Sequence, residues 1–462
     1  MPSKKIILID CESIPSNATD HGYVTISEPF GVLCLEAYLQ EHGIDCFAIR
    51  LPLTEENWQL IAQSEIVGLS GLTYNWLQMK ATAAEIRQRF LGKIIVAGRE
   101  HVTCLPEEVL EKSDIDVVVQ GPGEIPLLKL VQGLSREELP SAGYLGSDGK
   151  LVVNERTTVQ PDFTNIRLDR RPEWMNTIYP EMKKFFPKMA AVLLQRGCPF
   201  DCSFCTNRAM WGKYNQYRDA DIEGIIAEIR HVQENYGIEF FALQDLMANA
   251  NLKKLHAFAR RIIKEGIEAK FFALFSAING AHDFDLLRRA GFLQIAVGVE
   301  SPTARKEVGK GKDFGFASQF MQRIADAGIL TRVYFIIGFP WEKNVDELVN
   351  IYKWALQNIP VDSLRVHFLT SFPGTESWSD QEQWKHNVYK DEDEAGYQHY
   401  TTMEPIFDFG ITPEKLLKVR QTILRNYYQS PEFAALVRKR KGQGRLVGQI
   451  SKSYADYTLN IK

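Results

Sequence analysis

Arg196-Gly197-Cys198-Pro199-Phe200-Asp201-Cys202-Ser203-Phe204-Cys205 gathers three of the chain's seven cysteines into a C-x3-C-x2-C arrangement. Thiolates are the soft ligands that iron–sulfur clusters need, and a four-iron cluster wants four of them. Three cysteines therefore leave one iron open to an exogenous ligand. A structural zinc site needs a fourth Cys or His to close it, and the next nearby histidine is His231. Chance grouping of buried thiols is the remaining reading. With seven cysteines in 462 residues, chance does not account for this spacing.

The stretch lies directly after a strand candidate, Ala190–Gln195, the first of a series. Ile238–Leu243, Phe271–Phe275, Gln294–Val299, Val333–Ile337 and Leu364–Phe368 follow, separated by amphipathic stretches such as Ala220–Glu234 and Leu252–Glu265. Six βα units predict a partial (β/α)6 barrel of TIM type, with functional groups at the strand C-termini. The cysteines fall at that edge.

Upstream, Ile6–Asp10, Cys46–Leu51, Ile66–Ser70, Ile94–Gly98 and Ile115–Gln120 are short and nearly continuous in apolar character, as strands buried on both faces of a parallel sheet are. Pro29–His42 reads as an amphipathic helix between the first two. Five such units predict an open, doubly wound, Rossmann-like sheet. Its ligand edge carries Ser70-Gly71-Leu72-Thr73, Gly98-Arg99-Glu100-His101 and Gly121-Pro122-Gly123-Glu124. Tyr144–Val153 reads as a hairpin turning at Asp148-Gly149, and Pro161–Pro187 as a connection. Thr412-Pro413-Glu414 opens a helical tail, in which Arg438-Lys439-Arg440-Lys441 reads as a solvated basic helix end. The expected division is a sheet domain over 1–135, a linker with hairpin over 136–187, the barrel over 188–400 and a helical region over 401–462.

Composition narrows the function. Lys and Arg total 54 against 58 Asp and Glu, a net charge of −4, which excludes a nucleic-acid binder working through bulk positive charge. No apolar run approaches a membrane span and no signal segment opens the chain, so a cytoplasmic protein without a membrane partner is expected. The four other cysteines, Cys11, Cys34, Cys46 and Cys104, read as small buried hydrophobes.

The cysteine motif resembles that of the radical AdoMet (radical SAM) enzymes. The barrel's later motifs agree: Val297-Gly298-Val299-Glu300-Ser301 is similar to the family's Gly-Ile-Glu-Ser, Ile337-Gly338-Phe339-Pro340 to its Gly-Phe-Pro, and Phe372-Pro373-Gly374-Thr375 to its Pro-Gly-Thr turn. The resemblance implies that Cys198, Cys202 and Cys205 hold a [4Fe–4S] cluster whose open iron chelates S-adenosylmethionine (AdoMet). It places Phe204 and the backbone at Gly338 near the adenine and gives Glu300 the ribose hydroxyls. Where the family has Gly-Gly-Glu, this chain has Leu243-Gln244-Asp245-Leu246, so Gln244 and Asp245 fall at the AdoMet amino group, with Asp245 keeping the carboxylate.

The front domain resembles that of the cobalamin-binding subfamily, which implies a corrin across the strand ends facing the cluster. Ser70, Leu72, Gly98, His101, Gly121, Gly123 and Glu124 are its expected contacts. Two departures stand out. There is no Asp-x-His-x-x-Gly segment to supply a lower cobalt ligand. Gly98-Arg99 replaces a common Gly-Gly, so that Arg99 either crowds the nucleotide tail or pairs with its phosphate.

The activity implied is methylation of an unactivated carbon of a small molecule, with one AdoMet methylating the cobalamin and another generating the radical. A reducing partner such as flavodoxin or ferredoxin is implied. The alternatives are a radical cyclisation, rearrangement or oxidation in which cobalamin donates no methyl or is absent, a methylthiotransferase, and a non-catalytic cobalamin carrier. The substrate itself is not encoded in any recognisable stretch.

Overall fold

The computed structural model describes residues 5–12, 28–157, 171–175, 182–211, 218–219, 221–390 and 393–460. Most of the connection expected at Pro161–Pro187 lies outside them.

The front sheet contains β1 (Ile6–Asp10), β2 (Cys46–Arg50), β3 (Ile66–Ser70), β4 (Ile94–Gly98), β5 (Val117–Val119), β6 (Ala142–Leu145) and β7 (Leu151–Val153). Their order is β2-β1-β3-β4-β5-β6-β7. The first five strands are parallel, and β1 pairs with both β2 and β3 in unbroken register. Alternation along β1 sends Ile6 and Leu8 into one apolar core and Ile7 and Ile9 into the other. Burial on both faces is why the strand reads as a continuous apolar run. Strand order reverses between β1 and β3, the switch point at which a ligand crevice opens in such sheets. The hairpin differs from its sequence reading. It is not part of a linker, because β6 pairs antiparallel with β5 and extends the front sheet.

The barrel strands are β8 (Ala190–Val192), β11 (Phe240–Leu243), β12 (Lys270–Phe275), β13 (Phe292–Glu300), β14 (Leu330–Ile337) and β15 (Ser363–Phe368). They form one parallel sheet in sequence order. Between β8 and β11, β9 (Gln195–Arg196) and β10 (Arg218–Asp219) make a short antiparallel ribbon, so the first strand candidate ends early and its last residues turn away from the sheet. Five of the intervening helices start on a capping side chain that accepts from a first-turn amide: Asp221, Asn251, Asp283, Asp313 and Asn344. Each such cap is worth about 1 kcal/mol.

Three helices, Pro413–Tyr428, Pro431–Gln443 and Arg445–Asn460, complete the chain. Thr412 stands at the N-cap of the first, as expected, but its side chain makes no capping bond. The last helix closes the N-terminal end of the barrel, where the Tyr454 hydroxyl accepts from Gln294 Nε2 at 2.7 Å. The basic run corrects its reading as a solvated helix end. Arg440 is fully buried and bound to Asp362, while Lys439 pairs with Asp326 at the surface. No helix among the described residues is long and apolar enough to cross a membrane.

Candidate cofactor site between the two sheets

A cavity of about 460 Å³ lies between the domains. Asp10, Ser70, Gly98, Gly121, Gly123 and Glu124, all at front-strand ends or the loops after them, form one wall. Gln195, Arg196, Gly197, Cys205, Asn207, Gln244 and Leu246 of the barrel domain form the other. The two walls are tied together. Glu124 accepts from Arg196 at 2.5 Å, with both side chains largely buried, and Glu28 accepts from the Ala191 amide at 2.9 Å. Gly121, at φ +87°, lies where a Cβ would sit 3.1 Å from the Met210 carbonyl, so this loop approaches the barrel closely only as glycine.

The three cysteines sit on the loop between β9 and the helix Asn207–Trp211. None forms a disulfide and each is partly exposed. The Cys205 amide donates to the Cys202 carbonyl at 3.0 Å, and Asn207 Nδ2 donates to the Cys198 carbonyl. Burial pushes the Cys202 thiol up to about 11, with the Lys310 ammonium pulling the other way. Among the described residues, no three His, Cys, Asp or Glu side chains gather closely enough to hold a single metal ion. Cysteines on a four-iron cluster bind different irons, so their sulfurs need not converge on one point.

The carboxylate expected at the ribose is held unusually. Glu300 has a left-handed φ of +64°, a strain of order 1–2 kcal/mol for a non-glycine, at a register shift between β13 and β14. Its Oε1 bonds Lys310 Nζ at 2.9 Å. A Cβ on Gly298 would sit 2.3 Å from this carboxylate and displace it. Phe204 and Phe339 share one apolar cluster. Gly338, at φ +89°, donates its amide to Glu342 Oε2 at 2.6 Å, and burial pushes the Glu342 carboxyl up to about 7.

Some expected residues sit elsewhere. Gln244 is exposed on the cavity, but Asp245 is buried and accepts from the Leu194 amide at 3.1 Å, so it also holds the loop. Leu72 is half-buried and not part of the cavity wall. His101 is fully buried, with its ring 4.9 Å from Trp76 and 5.3 Å from Tyr397 rather than on the cavity. Burial takes its pKa down to about 3, which keeps the ring neutral. Arg99 does reach the cavity, at φ +87°. Its guanidinium meets Glu100 at 3.2 Å, Glu12 at 3.5 Å and Asp10 at 3.7 Å. Three carboxylates therefore already share its charge. The sequence reading missed Arg196, Glu28 and Lys310. Arg196 immediately precedes the cysteine motif and Lys310 sits between two glycines, the only signals available for them.

Residues 192–355 match the family model of the Radical SAM superfamily, and residues 23–131 that of the B12 binding domain. An uncharacterized methyltransferase of Pyrococcus horikoshii is 27% identical over 380 residues, covering 80% of this chain and 79% of its own. The bacteriochlorophyllide d C-12(1)-methyltransferase of Chlorobaculum tepidum is 25% identical and covers 95% and 90%. An anaerobic magnesium-protoporphyrin IX monomethyl ester cyclase of Rubrivivax gelatinosus is 28% identical, and the match spans 63% of this chain but only 54% of the cyclase. Among solved structures, the radical S-adenosylmethionine methyltransferase TsrM of Kitasatospora setae superposes with a TM-score of 0.64 at 17% identity, covering 81% and 75%. At that identity the likeness speaks to the fold.

The chain thus carries a radical SAM domain and, N-terminal to it, a B12-binding domain. A [4Fe–4S] cluster, AdoMet and cobalamin are its cofactors. The partly exposed thiols and the cavity across the sheet switch point fit them.

Proposed function

We propose that this chain is a cobalamin-dependent radical SAM methyltransferase acting on an unactivated carbon of a small molecule. One observation carries the reading: a single cavity has the front-domain strand ends as one wall and the cysteine loop as the other. A corrin on the first wall would lie across the cavity from Gly197 and Cys205, which line the other. When bound, the cluster and AdoMet supply a hydrogen-abstracting radical, and the cobalamin supplies a transferable methyl group.

The chain's own residues bind and orient. Cys198, Cys202 and Cys205 hold the cluster and leave its fourth iron for AdoMet. The apolar surface of Phe204 and Phe339 receives the adenine, and Glu300 accepts the ribose hydroxyls. Gln244 faces the cavity on the side of the AdoMet amino group, and Asp245 beside it anchors Leu194. Ser70, Gly98, Gly121 and Gly123 let the corrin approach the front backbone. The Glu124–Arg196 pair holds the two walls in register. A one-electron donor such as flavodoxin or ferredoxin supplies the reducing electron.

The similarity to the Rubrivivax gelatinosus cyclase favours one other reading, a radical cyclisation with no methyl transferred. AdoMet labelled in its methyl group, incubated anaerobically with the loaded enzyme, a reductant and candidate substrates, separates the two. The label is expected in the product. Turnover to an unlabelled product of altered ring structure would overturn the methyltransferase reading.

A further inference from the structure

The segment after β13 returns to the cysteine loop. Arg305, 1% exposed, pins it by donating from Nη1 to the Gly298 and Val299 carbonyls at 2.7 and 3.0 Å and from Nε to the Lys312 carbonyl at 2.9 Å. Gly309, at φ +83°, is then pressed against the motif, where a Cβ would sit 3.0 Å from both the Asp201 carbonyl oxygen and Cys202 Cα. Cys202 Sγ lies 3.8 Å from the Gly309 carbonyl. The next residue is Lys310. Its side chain is 16% exposed, its Nζ is 2.9 Å from Glu300 Oε1, and it lies 6.0 Å from the Phe204 ring centre. The ammonium is thus delivered between the ribose carboxylate and the thiol triad by a loop whose backbone is fixed at both ends.

A buried ammonium is costly unless a charge faces it. Glu300 supplies one at 2.9 Å, and the cysteine loop lies against Gly309, the residue before the ammonium. Burial opposes the charged form of Lys310, and the Glu300 carboxylate favours it.

We propose that Lys310 is the built-in counter-cation of the cluster site and sets the reduction potential of the cluster held by Cys198, Cys202 and Cys205. This rests on the cluster reading above. A four-iron cluster on three thiolates gains one negative charge when it takes an electron from a low-potential donor. A fixed ammonium beside it stabilises the reduced form more than the oxidised form, and net charge near a cluster is one of the levers on its potential. Glu300 offsets part of that field, so the two residues act with opposite sign. Lys310 is a positioning residue here, with no bond to iron assigned to it.

The test is an EPR-monitored potentiometric titration, with iron counted per chain, on anaerobically reconstituted wild type, Lys310→Met, Lys310→Arg and Glu300→Gln. Lys310→Met is expected to keep its iron and shift the midpoint negative, with Lys310→Arg close to wild type. Glu300→Gln is expected to shift it positive. Unchanged midpoints in Lys310→Met and Glu300→Gln would overturn the proposal. If Lys310→Met fails to retain iron, Glu300→Gln decides alone, and a midpoint equal to wild type or more negative counts against it. A wild-type chain that assembles no cluster would overturn both this proposal and the reading beneath it.

Discussion

Cys202→Ala, purified and reconstituted anaerobically, is expected to fold normally and fall from about four irons per chain to almost none. Its AdoMet cleavage to 5′-deoxyadenosine should disappear with the iron. The structure separates this loss from misfolding. What Cys202 contributes to the loop is its carbonyl, which accepts the Cys205 amide, and alanine keeps that. Its side chain is partly exposed, and its Sγ makes a long contact of 3.8 Å to the Gly309 carbonyl. Two thiolates cannot satisfy three irons of a cluster, so the effect is a loss rather than a reduction. Cys46→Ala is the control: Cys46 is buried on β2 in the front core, and its variant should keep the iron. Iron and cleavage activity retained in Cys202→Ala would contradict the ligand assignment.

Arg440→Met is expected to produce the largest fall in stability, about 3–5 kcal/mol, because it leaves a buried carboxylate without its counter-charge. Arg440 and Asp362 are both inaccessible to solvent, with Nη2 2.5 Å from Oδ2 and Nε 2.9 Å from Oδ1. Asp362 also accepts the Thr331 amide at 2.8 Å, so the same carboxylate joins the start of β14 to the tail. Lys439→Met, one residue earlier, removes only a surface pair of the kind worth about 0–1 kcal/mol. Thermal unfolding of the two variants should therefore differ widely. Equal shifts would show that the buried pair does not anchor the tail.

Arg440 also marks the limit of what the sequence discloses. Four consecutive basic residues read as one solvated run, but helical spacing turns only Arg440 to the barrel, and its partner lies 78 residues away. Nothing local announces that. The strands were legible because burial on both faces leaves continuous apolar runs: β1, β3 and β4 fall on the residues their composition marks. The hairpin was legible as a hairpin but not as part of the front sheet, since edge pairing depends on where β5 ends rather than on the hairpin itself. In the candidate site, spacing and resemblance single out Cys198, Cys202, Cys205 and Glu300. They do not single out Lys310 and Arg196, because each matters through a contact made across the fold. His101 shows the converse. Its place in the chain suggested the cofactor, yet Trp76 and Tyr397 enclose it in the domain contact.

The claim that everything else depends on is that one open cluster and one corrinoid face each other across a shared cavity. Elemental analysis of the wild-type chain, reconstituted anaerobically with iron, sulfide and cobalamin and then desalted, tests it directly. The expected result is about four irons and one cobalt per chain. Iron without cobalt would leave the front wall of the cavity with no corrin and contradict the account, as would iron near eight.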